Sequence, residues 1–353
     1  MSMVIDWLRR AVETGASDIF IGVGRCISFK KSGIITPQST SRLVPDEAEK
    51  LVNELYELAH RPIKKYETTG DDDFPITVPG LARFRVNTYR QRGTMAAIIR
   101  VVLFGIPNYE DLSIPDKVMD VAAENNGLVL ITGPAGSGKS TTLACIIDAI
   151  NKTRNCHIIT LEDPIEYLHR DNMSLISQRE ISTDTDSYVQ ALRASLRQAP
   201  DIILLGEMRD HETIRTAMTA AETGHLVIST LHTVGAANTL DRIIDIFPPA
   251  QQQQVRVQLS MILRMVVTQK LMPDIQGESV PAFEIMLVNN AISNIIREAK
   301  THQIDNVINT SSQDGMVSMD TYIMKLYRSG TITADTALRN AANPDVMHRQ
   351  LYG

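Results

Sequence analysis

Gly133-Pro134-Ala135-Gly136-Ser137-Gly138-Lys139-Ser140 matches the pattern G-x-x-x-x-G-K-[ST]. Three glycines let the backbone bend until its N–H groups point at phosphate. In this pattern the lysine reaches the β- and γ-phosphates and the serine hydroxyl ligates Mg²⁺. The flanks fit as well: an apolar strand runs into the loop (Gly127 to Thr132) and a helix leaves it (Lys139 to Ile150). The chemistry expected is binding of ATP or ADP with Mg²⁺, with Gly133 through Ser140 and the adjoining Thr141 around the phosphates.

Three further groups could act on such a ligand. Asp201-Ile202-Ile203-Leu204-Leu205-Gly206-Glu207 is an aliphatic strand whose carboxyl end presents Glu207 at the sheet edge where ligands bind. Glu162, Asp163 and Glu166 crowd the end of another apolar strand and repel one another unless a cation or solvent relieves them. Beside bound Mg·ATP, one acid can order the metal's waters and another can take a proton from the attacking water. His225 and His232 bracket a third strand, Leu226 to Thr230, roughly 20 Å apart at strand rise, so they cannot share a metal. His232, at the carboxyl end, stands where a γ-phosphate could be sensed; His225 at the opposite edge could reach a neighbouring subunit or serve the fold.

The elements that must position these groups follow from the pattern. Leu128–Thr132, Ile158–Leu161, Ile202–Leu205 and Leu226–Thr230 are apolar along their length, as buried parallel strands are, and alternate with helical stretches. This core is expected over residues 118–272, with a mostly helical region over 273–353. Residues 1–105 predict a smaller α+β module. It has a helix over about 3–14 with Ile5, Leu8 and Val12 on one face, and a hairpin around Ser32-Gly33. A second helix starts at Pro45, a turn spans Thr69 to Asp73, and strands cover Phe74–Val78, Ala82–Tyr89 and Met95–Leu103. Gly105, Pro107 and Pro115 mark 106–117 as a linker on which one domain could swing as nucleotide binds.

Composition removes several classes. With 353 residues, about two domains are expected. Lys+Arg number 35 against 41 Asp+Glu, a net charge of −6, which excludes nucleic-acid binding by bulk positive charge. Aromatics at 5% argue against a stacking platform for single strands. The three cysteines, Cys26, Cys145 and Cys156, form no C-x-x-C pair and fit a reducing compartment. No apolar run approaches the ~18–20 residues of a membrane span, and charges interrupt the N-terminus, so the expected location is cytosolic.

Taken together, Gly-Ala-Ser-Asp (15–18), Ala-Arg-Phe-Arg-Val-Asn (82–87), the phosphate loop and Glu-Asp-Pro-Ile-Glu-Tyr (162–167) resemble the PilT family of type IV pilus retraction ATPases. So do Gly-Glu-Met-Arg-Asp (206–210), Thr-Ala-Ala-Glu-Thr-Gly-His (219–225), Thr-Leu-His-Thr (230–233) and Ala-Ile-Ser-Asn-Ile-Ile-Arg-Glu (291–298). That family belongs to the type II/type IV secretion ATPase superfamily, and the matches run in order along nearly the whole chain. The resemblance implies a PAS-like N-terminal domain, a RecA-like P-loop ATPase core with a helical C-terminal region, and a cytoplasmic homohexamer. The ring would work peripherally on the inner face of the bacterial inner membrane. It would act through an inner-membrane platform protein, and so indirectly on the pilus filament, without nucleic acid. It also implies roles: Glu166 as general base within an acidic box with Glu162 and Asp163, Glu207 as the acid near Mg²⁺, and His225 and His232 as a histidine box. Arg85 and Arg100 would reach the γ-phosphate, where an always-charged guanidinium neutralises developing charge.

Three departures from the family pattern stand out: Ala135 where threonine is usual, Ser293 where arginine is usual, and Arg25-Cys26-Ile27 in place of a proline-containing stretch. Ser293 bears on partner choice. Pilus-extension ATPases usually carry a tetracysteine metal motif, which this chain lacks. A secretion ATPase with the same core and a RecA-type nucleic-acid motor are the other readings.

Overall fold

The computed structural model describes residues 3–31, 33–102 and 105–352, which divide into two compact units, Met1–Gly105 and Ile106–Gly353. Ser32 of the expected hairpin turn and Leu103 of the expected last strand lie outside the described residues.

The N-terminal unit runs α1 (Met3–Thr14), β1 (Asp18–Gly22), β2 (Ser28–Lys31), β3 (Ile34–Pro37), α2 (Pro45–Leu58), α3 (Lys64–Thr69), β4 (Asp71–Val78), β5 (Ala82–Gln91) and β6 (Thr94–Val102). The strands form one antiparallel sheet in the order β3-β2-β1-β6-β5-β4. Leu8 of α1 and Leu51, Val52 and Leu55 of α2 share one hydrophobic core with Ile19, Ile21, Phe29, Phe84, Val86 and Ile99 of the sheet. The buried face of α1 is Val4, Leu8 and Ala11; Ile5 and Val12 flank it half-buried, one residue round the helix from the expected stripe. Pro45 opens α2, and the Glu47 carboxylate accepts the Val44 N–H at 3.1 Å, satisfying one donor of the first turn.

The turn expected through Asp73 ends earlier, because Asp71, Asp72 and Asp73 begin β4. Their charges are met inside the unit. Arg61 Nε and Lys65 Nζ reach the buried Asp72 carboxylate at 2.9 and 3.0 Å, and Arg85 takes Asp73. On the face of the sheet away from the helices, β1, β6 and β5 bring Asp18, Arg100 and Arg85 into one cross-strand row. Arg100 Nε donates to Asp18 Oδ1 at 3.0 Å and Arg85 donates to Asp73, so an acid flanks each of two arginines that stand directly opposite one another.

The second unit runs α4 (Asp116–Met119), β7 (Gly127–Thr132), α5 (Lys139–Thr153), β8 (His157–Glu162), β9 (Leu175–Glu180), α6 (Tyr188–Ser195), β10 (Ile202–Leu205), α7 (His211–Glu222), β11 (Leu226–Leu231), α8 (Ala236–Asp245) and α9 (Pro249–Ile262). It continues with β12 (Leu263–Pro273), β13 (Ser279–Leu287), α10 (Asn290–Arg297), α11 (Ile304–Thr310), α12 (Met319–Arg328), α13 (Ala334–Asn340) and α14 (Pro344–Tyr352). Its sheet is ordered β13-β12-β7-β11-β10-β8-β9 and is parallel apart from the edge strand β13. Every residue of β7, β10 and β11 is buried, and separate apolar clusters cover the two faces. Near-continuous apolar strands are what such a two-sided sheet needs, and the polar exceptions Thr132, Ser229 and Thr230 are all hydrogen-bonded.

Two expected boundaries fall differently. Ile114 is buried and Ile106, Tyr109 and Leu112 pack with Val118 and Ile146, while the Cys145 thiol donates to the Pro107 carbonyl at 3.4 Å; residues 106–117 are therefore packed against the second unit rather than left as a free linker. The division expected at 272 cuts a hairpin, because β13 pairs with β12 from Ser279 to Leu287 and completes the sheet before the helices begin. Among the described residues no helix is long and apolar enough to cross a membrane.

Asp72 is the test of the N-terminal unit. Burial raises its carboxyl, but the bonds from Arg61 and Lys65 outweigh burial and hold it below the ordinary aspartate value. Its contribution is present above the unfolded value of 3.8 and is lost as pH falls through the lower folded one. Asp72→Ala strands two cations and is expected to destabilise this unit by about 3 kcal/mol at pH 7, read by urea unfolding; an unchanged midpoint contradicts the role assigned to the cluster.

Candidate functional site

The carboxyl ends of β7, β8, β10 and β11 open on one side of the second sheet, the edge where open parallel sheets bind ligands. A cavity of about 290 Å³ lies there. Ala135, Gly136, Lys139, Ser140, Glu162, Asp163, Glu166, Glu207 and His232 all line it, so residues far apart in the chain, from Ala135 to His232, meet at one point.

The loop after β7 turns on Gly133, Gly136 and Gly138, with φ of 139°, 77° and 86°, the left-handed region that favours glycine. A Cβ at Gly133 would overlap the Gln269 carbonyl oxygen, so that position also lacks room. Lys139, the first residue of α5, is buried and donates from Nζ to the carbonyls of Gly133 and Pro134, both at 2.8 Å. Burial pulls its ammonium below the ordinary lysine value, opposed by Glu207 and Glu166. The Thr141 hydroxyl shares a 2.9 Å hydrogen bond with the Tyr167 hydroxyl, tying α5 to the acidic turn.

That turn, 163–169, begins with a cis Asp163–Pro164 bond and rests on β9. The Glu180 carboxylate accepts the Ile165 N–H at 3.0 Å, and Gln178 accepts the His169 N–H at 2.8 Å while donating to the Tyr167 carbonyl at 2.9 Å. Glu162 accepts from the Thr160 hydroxyl at 2.6 Å and from Gln178 at 3.2 Å. Burial nevertheless pushes its carboxyl up to about 7, with Glu166 and Glu180 adding to the rise against those two bonds. His169 is held neutral, pushed down to about 4 by burial.

Glu207 follows β10 and lies between the Arg209 and His232 side chains. Arg209 reaches its Oε1 at 2.5 Å, and His232 Nε2 approaches Oε2 at 3.4 Å. Oε2 and the Ser137 hydroxyl are both buried without a hydrogen-bond partner among the described residues. A buried carboxylate oxygen left over at the cavity wall, with a spare buried hydroxyl inside the adjoining glycine loop, fits a cation and a phosphate.

Three expected site residues stand elsewhere. His225, at the other end of β11, places Nδ1 3.0 Å from the Ala220 carbonyl at the end of α7. Arg85 and Arg100 belong to the N-terminal unit, in the charge row with Asp18 and Asp73. Sequence reasoning missed Thr160, His169, Tyr188 and Arg209, which also line the cavity. Arg209 was within sight, two residues beyond Glu207; Tyr188 opens α6 and carries no local signal.

Comparison with known proteins gives the same picture over the whole chain. The family described as "Type II/IV secretion system protein" matches residues 2–306. The chain is 40% identical over 342 residues, 97% of its length and 99% of the relative's, to the "Type IV pilus retractation ATPase PilT" of Pseudomonas aeruginosa. It is 46% identical over 285 residues, 80% of its length and 76% of the relative's, to a "Twitching motility protein" of Neisseria gonorrhoeae. Among solved structures, the pilus retraction motor PilT with bound ADP superposes with a TM-score of 0.92 at 43% identity over 99% of both chains. The Legionella pneumophila ATPase DotB follows at 0.82 and 27%, over 96% of this chain and 94% of that one.

The Glu162 carboxyl gives a pH test. It ionises near 4.5 in an unfolded chain and near 7 when folded. Between those values the native state keeps a proton that the unfolded state has released, so this group's contribution falls as pH rises through that window and is level above it. Glu162→Gln removes the loss. The melting temperature of the variant should pull ahead of the parent's from pH 4.5 upward, reaching a gap of about 5 °C above pH 7; a gap independent of pH counts against the enclosed carboxyl.

Proposed function

Because the chain belongs to the type II/IV secretion system protein family, we propose that it is an ATP-hydrolysing motor that powers type IV pilus retraction. The observation that carries this reading is the convergence of Lys139, Ser140, Glu162, Glu166, Glu207 and His232 on one cavity at the mouth of a glycine-built phosphate loop.

The loop amides and Lys139 grip the β- and γ-phosphates of ATP, the lysine exchanging the Gly133 and Pro134 carbonyls for phosphate oxygens. Ser140 and Glu207 would hold Mg²⁺, which supplies Lewis-acid charge to the phosphoryl oxygens. Glu207 meets that cation already flanked by Arg209 and His232, so its orientation is set from two sides. Glu166, exposed on the acidic turn, takes the proton of the water attacking the γ-phosphorus. Asp163 orders water beside it, and Glu162, protonated near neutrality, adds no full charge against the phosphates. Arg85 and Arg100 neutralise charge developing on the γ-phosphate. His225 serves the α7–β11 corner or a neighbouring subunit. The assembly is a cytoplasmic homohexamer that docks on an inner-membrane platform protein and through it drives the filament.

Lys139→Ala and Glu207→Ala are each expected to lower steady-state ATP hydrolysis at least about a hundredfold; turnover within twofold of the parent overturns the site. If Arg100 works in trans, mixed rings of Arg100→Ala and Lys139→Ala subunits regain activity that neither has alone, and none at any ratio excludes it. Deleting the gene separates directions of work: abundant surface pili without twitching supports retraction, and bald cells support extension instead.

A further inference from the structure

Gln269 is polar, 3% exposed and absent from the cavity wall. It sits where two neighbouring strands part. The parallel ladder of β7 and β12 runs in register through Val267 opposite Ile131 and Thr268 opposite Thr132, closing with a 2.9 Å hydrogen bond between the two threonine hydroxyls. One residue later β7 has ended at Gly133, while β12 runs on to Pro273. The main-chain carbonyl of Gln269 fills the space where a side chain at Gly133 would begin. Its side chain reaches the other end of the same loop. Oε1 accepts the Thr142 hydroxyl at 2.8 Å in the first turn of α5, and Nε2 lies 2.9 Å from where a Cβ on Gly138 would stand.

One residue thus touches the entry and the exit of the phosphate loop from behind. The strand that carries it is fixed on both sides. Val266 and Val267 are buried in the sheet core, Met272 belongs to the apolar cluster of α12 and α14, and Lys270 Nζ donates to the Asn340 carbonyl at 3.1 Å.

We propose that Gln269 is a positioning residue for the nucleotide: it clamps the two ends of the phosphate loop at a fixed separation, so that the loop amides are arranged before the phosphates arrive. The proposal rests on the reading that this loop binds nucleotide. Its physical basis is that a loop ordered in advance loses less freedom on binding. The Gln269–Thr142 bond is buried, so breaking it leaves an unpaired polar group and the clamp has no cheap alternative.

The test uses the full chain and two near-isosteric changes, Gln269→Met, which removes both amide functions, and Thr142→Val, which removes only the hydroxyl. Each should weaken ADP binding about tenfold by calorimetry, and the double variant should be within about threefold of the weaker single, because both act through one bond. KM for ATP should rise while kcat stays within about threefold. Without nucleotide, amide exchange in the peptide covering 133–142 should speed up while the rest of the sheet exchanges as before. Folded variants that bind ADP as the parent does, with unchanged loop exchange, overturn the clamp. So does a fall in kcat at constant KM. Should Gln269→Met not fold, Thr142→Val decides alone. A parent chain that binds no ADP overturns the nucleotide reading itself, and loop exchange then still reports whether the clamp exists.

Discussion

Holding a polyanion with main-chain amides imposes the constraint from which the second unit follows. The donors must converge, so the chain must take left-handed conformations at Gly133, Gly136 and Gly138 within six residues. A segment bent that sharply has little structure of its own. It is stretched between the end of β7 and the start of α5, and Lys139 folds back on its carbonyls. A buried strand and a buried helix must hold those two ends. The apolar clusters on both faces of the sheet supply that rigidity, and the parallel order of β7, β11, β10 and β8 brings four carboxyl ends to the same edge.

Charge is the second consideration at that edge. Glu162, Asp163, Glu166 and Glu207 face a cavity that phosphates would enter. Four free carboxylates would repel them. The structure relieves this locally: Arg209 and His232 attend Glu207, burial keeps a proton on Glu162 near neutrality, and Glu166 keeps solvent contact. Carboxyl groups of one chemical type are thus given different surroundings: enclosure for Glu162, an ion pair for Glu207 and solvent for Glu166.

Much of this was legible from residue types alone. The phosphate loop reads from glycine spacing, and four strands read from aliphatic runs that only a two-sided sheet would bury. What escaped has identifiable causes. β9 carries Ser177, Gln178 and Arg179 at a sheet edge, so it shows no apolar run, although Gln178 and Glu180 hold the acidic turn in place. Asp71 to Asp73 look like a turn until Arg61, Lys65 and Arg85, distant in sequence, neutralise them. Residues 106–117 look like a tether because prolines mask an apolar face that packs beside α5. Tyr188 and His169 enter the cavity through tertiary placement, which no short pattern encodes.

The charge row on the N-terminal sheet has its own consequence. Arg100 and Arg85 stand opposite each other, and their mutual repulsion is tolerated because Asp18 and Asp73 bracket them. Each guanidinium is therefore occupied at rest, and the Asp18 carboxylate is itself fixed by the Ser17 hydroxyl at 2.9 Å. An incoming anion has to win an exchange against a carboxylate already in place. A singly charged oxyanion has little advantage in that contest, whereas a terminal phosphate brings more charge and more acceptor oxygens. The row therefore presents paired rather than free positive charge on this face of the sheet, and any ligand of the arginines must first displace a carboxylate.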